Sequence, residues 1–124
     1  HFPGRAPIDA YGNGGFRFAD MSHRGSVLAL PSGIHGWDVK AFADIDAAGL
    51  DKVIADAAEI DVLLIGCGPD LMPLPKELRE LLAAHSISVD VMSTGAAVRT
   101  YNILIAEERA AACALIAVEE ARAK

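Results

Sequence analysis

Residues 87–102, Ile-Ser-Val-Asp-Val-Met-Ser-Thr-Gly-Ala-Ala-Val-Arg-Thr-Tyr-Asn, restrict the fold more than any other stretch of the chain. Ile87, Val89 and Val91 alternate with Ser88 and Asp90, the period of a strand with two unlike faces. Ser93 and Thr94 then offer capping oxygens, Gly95 allows a tight turn, and an apolar-periodic segment follows. A strand that runs directly into a helix turns the helix's first N–H groups toward whatever sits above the sheet. That makes a candidate anion site, with Arg99 about one turn further in.

A second strand is expected at Val62–Gly66, four consecutive apolar residues ending in glycine, as in strands covered on both faces. Between the two, Pro75 opens a helix whose stripe is Leu78, Leu81 and Leu82, with His85 near its end. Upstream, Asp46 can cap a helix with apolar positions Leu50, Val53, Ile54 and Ala57. Helix, strand, helix, strand, helix is an α/β pattern, and two strands joined by a helix should lie parallel. The last helical stretch is expected over 94–123, with a break near 107–109. The first third reads differently. Residues 1–10, with Pro3, Gly4 and Pro7, form an irregular lead-in. Gly12, Asn13, Gly14 and Gly15 form a turn that precedes a strand, the wrong order for a phosphate loop. Phe16 and Phe18 flank Arg17 in a short strand, residues 20–25 turn the chain, and Ser26–Leu30 and residues 34–37 are further strands. The fold class expected is α/β: a compact three-layer single domain over residues 1–124, with a mixed β-sheet, helices packed on it and an N-terminal β-hairpin or meander.

Lys plus Arg number 11 against 17 Asp plus Glu, a net charge of −6 with no basic cluster along the chain. This argues against a nucleic-acid partner and against docking on anionic lipid. The two cysteines, Cys67 and Cys113, read as free thiols of a reducing compartment, which points to the cytoplasm. No apolar run reaches the ~18 residues of a membrane-spanning helix, and a spanning barrel would need many alternating strands of ~10 residues. The chain starts at His1 without a methionine, which leaves a missing N-terminal segment open.

If the strands at 62–66 and 87–92 are parallel neighbours, their following loops lie side by side, at the usual ligand position of open α/β sheets. The candidate pocket then comprises Gly66, Cys67, Gly68, Ser93, Thr94, Gly95, Arg99 and Asn102, suited to a carboxylate, phosphate or other small anion. The alternative is that the glycines serve tight turns, Ser93 or Thr94 caps a helix, and Arg99 pairs with an acid. Cys67 sits where a thiol could be partly exposed, but His23, His35 and His85 are scattered and none is placed to act as its base, so the preferred reading is a quiet, small apolar residue. Ser22 with His23 lacks the context of a hydrolase nucleophile turn. No His, Cys or carboxylate pair has metal-ligand spacing. Catalytic residues, a metal and a cofactor are therefore not expected. Tyr101 is expected in the core with its hydroxyl bonded, and Asn102 bonded to a neighbouring loop backbone. Trp37 and Phe42 belong either to the core or to an apolar patch.

In this order, several segments together resemble a widespread domain-of-unknown-function family of small α/β proteins (MTH-type). They are residues 13–18 (Asn-Gly-Gly-Phe-Arg-Phe), 22–26 (Ser-His-Arg-Gly-Ser), 31–34 with Trp37, 65–68 (Ile-Gly-Cys-Gly), and 99–102 (Arg-Thr-Tyr-Asn) with Glu107. The resemblance spans about residues 8–118. The family includes a mitochondrial assembly factor of respiratory complex I, while most bacterial and archaeal members have no assigned reaction. It implies a mixed sheet with packed helices and a non-enzymatic interaction or assembly role. The partner it implies is a protein, respiratory-chain subunits among the candidates, met at the periphery of the inner membrane. No catalytic residues carry over. Cys67 stands where the family usually has threonine, and Val98 where a cysteine often precedes the Arg-Thr-Tyr-Asn run. Both departures count against a thiol mechanism common to the family.

Overall fold

The computed structural model describes residues 2–120. After the short strand β1 (Phe2–Pro3), turn chemistry builds a small sheet. Asn13 and Gly14, at φ 52° and 75°, join β2 (Ala10–Gly12) to β3 (Gly15–Phe18). Positive φ at both central residues is what a two-residue hairpin turn needs to match the strand twist. Ala19 and Asp20, at φ 49° and 62°, repeat the device between β3 and β4 (Met21–Arg24). The expected turn over 20–25 is therefore corrected: residues 21–24 are a strand. It is exposed or half-exposed throughout, so it has no buried face to write a period of two into its sequence.

The second sheet has six strands. β5 (Ser26–Leu30) and β6 (Gly33–Trp37) form a hairpin, and β7 (Val62–Gly66), β8 (Ser88–Met92) and β9 (Ala111–Leu115) complete the order β1-β6-β5-β9-β7-β8. β7 is parallel to both β8 and β9, while β5 runs antiparallel to β9, so the sheet is mixed as expected. The helices are α1 (Asp51–Ala55), α2 (Lys76–Ala84) and α3 (Thr94–Ala106). The expected helix after Asp46 proves short: a 3-10 turn, Ala48–Leu50, leads into α1, and Asp46 Oδ1 accepts from the Gly49 N–H at 2.8 Å.

Alternation along the central strands divides the core in two. Leu28, Leu63, Ile65, Ala112 and Ala114 face α1 and α2, where Leu50, Val53, Leu78 and Leu82 meet them. Val27, Ala29, Leu64, Cys113 and Leu115 face the other way, toward α3 and toward Phe16 and Phe18 of the small sheet. This gives three layers. Trp37 and Phe42 are both buried, and the Trp37 indole donates to the Gly49 carbonyl at 2.8 Å. Among the described residues no helix is long and apolar enough to cross a membrane.

The helix expected over 94–123 is the largest correction. α3 ends at Ala106 and the chain returns as β9, in the middle of the sheet; residues 121–123 lie outside the described ones. The break near 107–109 is where it was expected, with Glu108 at φ 60°. Alanine-rich sequence favours helix by intrinsic propensity. Here Ala111, Ala112, Cys113 and Ala114 are buried on both faces of a central strand, where helices crowd each side and small side chains fit.

Tyr101 is fully buried, but its hydroxyl has no hydrogen-bond partner among the described residues, contrary to expectation. Burial, and then the Cys113 thiol beside it, push the phenol above its usual range. Tyr101→Phe removes that unmet donor and keeps the ring, so it should stabilise the fold by about 1 kcal/mol in urea unfolding. At the β5–β6 hairpin, His35 Nε2 lies 3.2 Å from Ser32 Oγ. Burial first, and then Lys52, hold the His35 pKa below its ordinary 6.5, with Asp56 opposing them. A depressed folded-state pKa means that protonation favours unfolding. The contribution of neutral His35 is thus complete above pH 6.5 and lost as the pH falls below it. Unfolding midpoints followed from neutral to mildly acidic pH should fall more for the wild type than for His35→Gln.

Candidate functional site

The parallel register aligns Gly66 with Met92 on one side and with Leu115 on the other. Three strand ends therefore share one rim of the sheet, and the loops after β7 and β8 are neighbours, as expected. The contact is direct. The Thr94 N–H donates to the Gly68 carbonyl at 2.9 Å, and the Gly68 N–H donates to Thr94 Oγ1 at 3.0 Å. The Cys67 N–H donates to the Met92 carbonyl at 2.9 Å. The third strand joins through Thr94, whose hydroxyl donates to the Ile116 carbonyl at 2.7 Å, while the Ile116 N–H donates to the Gly66 carbonyl at 2.9 Å.

Ser93 and Thr94 divide the labour that the sequence left open. Ser93 has extended backbone and caps α3, accepting from the Ala96 N–H at 3.3 Å. Thr94 points inward and is fully buried. Gly95 opens the first turn of α3 to the β2 residue Tyr11: an added Cβ would collide with the Tyr11 hydroxyl and lie 3.5 Å from Arg99 Nη1. Arg99 itself is exposed. Asn102 is turned to another task, as its side chain clamps Ile8 by accepting from its N–H (2.8 Å) and donating to its carbonyl (2.9 Å). Cys67 is buried rather than partly exposed, with Sγ 2.9 Å from the Asp70 carbonyl oxygen it donates to.

The structure thus brings Gly66, Cys67, Gly68, Ser93, Thr94 and Gly95 together, with Arg99 at the margin and Asn102 further along α3. The N–H groups of Thr94 and Ala96 already have partners within the protein. Sequence reasoning missed Tyr11 and Ile116, both delivered by distant segments with no local signal. Among the described residues no group of three or more His, Cys, Asp or Glu is arranged to hold a metal ion.

Residues 8–116 match the family described as "Protein of unknown function (DUF498/DUF598)". An uncharacterized protein of Rhodobacter capsulatus is 39% identical over 115 residues, 93% of this chain and 87% of its own. The NADH dehydrogenase [ubiquinone] 1 alpha subcomplex assembly factor 3 of Drosophila melanogaster is 36% identical over 112 residues, 88% of this chain. The match spans 57% of that assembly factor's length. A crystal structure described as an outer membrane protein from Bartonella henselae superposes with a TM-score of 0.93 at 60% identity, covering 96% of this chain and 100% of that one. Among the described residues the sheets are open and their strands have two to five residues; the wall of a spanning barrel is closed, with strands of about 9–11 residues.

Proposed function

The chain belongs to the DUF498/DUF598 family of proteins of unknown function, and from that membership we propose that it is a non-enzymatic assembly protein. In this reading it holds subunits of a respiratory NADH dehydrogenase while they are joined, working at the inner membrane through its protein partners. The observation that carries the reading is the 36% identity with the Drosophila assembly factor across 88% of this chain. The surface is consistent with partner contact. Leu71 and Met72, 70% and 44% exposed, stand on the loop beyond β7 between Pro69 and Pro73, and Ile103 of α3 is 60% exposed. Leu71 and Met72 are adjacent, and an apolar pair of this kind gains from burial against a partner.

The test is deletion of the gene in the source organism, with a tagged copy at native level for recovery of partners. NADH-driven quinone reduction in membranes should fall while unassembled subunits accumulate, and the tagged chain should recover those subunits. Normal activity together with no respiratory subunit recovered would overturn the reading.

A second reading places a small anion where the loops after β7 and β8 meet the start of α3, at Gly66, Cys67, Gly68, Ser93, Thr94, Gly95 and Arg99, with Asn102 left to its bonds with Ile8. It is favoured by one observation, the Arg99 guanidinium beside Gly95 at the start of α3. Phosphate and short carboxylates should then shift the amide resonances of 94–99, and Arg99→Ala should abolish the shifts. No shift in the wild type removes this reading.

A further inference from the structure

The outward face of the small sheet is positively charged on a chain whose net charge is −6. The register sets Ala10 opposite Arg17 and Arg17 opposite Ser22, and likewise Gly12 opposite Gly15 and Gly15 opposite Arg24. Residues directly opposite on antiparallel neighbours share a face. Phe16 and Phe18 point inward and are buried, so these six residues form the other side. Two exposed guanidiniums therefore rise from a floor of alanine, glycine and serine. A cavity of about 400 Å³ borders Arg17, Ser22, His23 and Arg24, and no carboxylate lines it. Neither guanidinium is in an ion pair among the described residues.

The edge beside this face has no strand paired to it, although the His23 ring lies over Gly36 of β6. β4 is the last strand of its sheet. The two-residue turn makes Phe18 and Met21 a hydrogen-bonded pair, and Phe16 with His23 the next one, so the peptide groups of Ser22 and Arg24 point away from β3. Beyond β4 lie a cavity of about 510 Å³, bordered by His23, Arg24 and Gly36 and also by Asp38, Lys40 and Glu119, and one of about 120 Å³ between Ser22 and His23 of β4 and His35 and Gly36 of β6.

We propose that the Arg17 and Arg24 face, with the free edge of β4, docks an extended acidic segment of a protein partner as a fourth strand of the small sheet. An added strand places alternate side chains on one face about 7 Å apart. One carboxylate then meets Arg24, and the next reaches Arg17 across the small Ser22. A compact anion would use the guanidiniums alone, whereas a strand also satisfies the outward peptide groups of β4. This names the chemistry of the partner and so rests on the assembly reading.

The experiment titrates the isotopically labelled chain with a synthetic peptide alternating Glu and Val, with its Lys and Val counterpart, and with inorganic phosphate. The acidic peptide should give saturable shifts at Arg17, Ser22 and Arg24 that weaken with added salt. The R17E/R24E variant should bind it at least about tenfold more weakly, with an unchanged melting temperature because both side chains are exposed. Three results overturn the proposal: no saturable shift, the same shifts from phosphate at equal concentration, or unaltered binding by the variant. The two readings fail separately. If the tagged wild type and R17E/R24E recover respiratory subunits equally, the docking face is wrong and the assembly role stands. If the peptide binds as stated and no respiratory subunit is recovered, the assembly role is wrong and the face stands.

Discussion

Thr94→Val will lower the unfolding free energy by about 3 kcal/mol, seen as a lower urea midpoint with an unchanged slope. Valine has nearly the shape of threonine, so packing is kept and only the hydroxyl is lost. That hydroxyl accepts from the Gly68 N–H and donates to the Ile116 carbonyl, at 3.0 and 2.7 Å, in a fully buried position. Removing it leaves a buried donor and a buried acceptor without partners, each costing about 1–3 kcal/mol. Thr94→Ser keeps both bonds and gives up one buried methyl group, so it should cost only about 1 kcal/mol. If serine proves as damaging as valine, the methyl group and not the bridge holds the rim together. The bridge matters beyond stability because it ties the ends of β7 and β9 to the first turn of α3. Loosening it should raise hydrogen exchange at Gly68 and Ile116 before the rest of the sheet.

What the sequence revealed of this rim depended on how local each signal was. Val62–Gly66 and residues 87–92 announce themselves through runs and alternation of apolar residues, and one helix between them is enough to make them parallel neighbours. The pairing of the two glycine-bearing loops followed. β9 was hidden because alanine reads as helix when neighbours are unknown, although the crowded centre of a sheet selects the same small side chains. The Ile116 carbonyl was hidden with it. Ser93 and Thr94 are equally able to cap a helix, and only the inward direction of Thr94 separates them. Tyr11 lies on Gly95 from more than eighty positions away in the chain. Arg17 and Arg24 form no cluster in the sequence either; the two-residue turn at Ala19 and Asp20 sets them on one face. Fold class was thus legible from patterns within each element, whereas contacts between distant elements had to be seen.

Gly66→Ala should be destabilising by about 3 kcal/mol, the upper part of the range for overpacking a filled site. An added Cβ would stand 2.9 Å from Thr94 Cα, 3.0 Å from Leu115 Cδ2 and 3.2 Å from Thr94 Oγ1. The leucine methyl can rotate away, but Thr94 Cα is backbone, so the start of α3 must move outward from the sheet. Gly68→Ala is the informative contrast. An added Cβ there meets nothing within 4 Å, but φ is +101°, so the change strains only the loop backbone, at about 1–2 kcal/mol. The two glycines thus do different jobs: Gly66 lets the helix approach and Gly68 shapes the loop. The double variant Gly66→Ala/Thr94→Val separates this account from simple crowding. If α3 is displaced in Gly66→Ala, the Thr94 bridge is already stretched, and the second substitution should add clearly less than it does alone. Full additivity would place the strain of Gly66→Ala in the Leu115 side chain and leave the helix where it was.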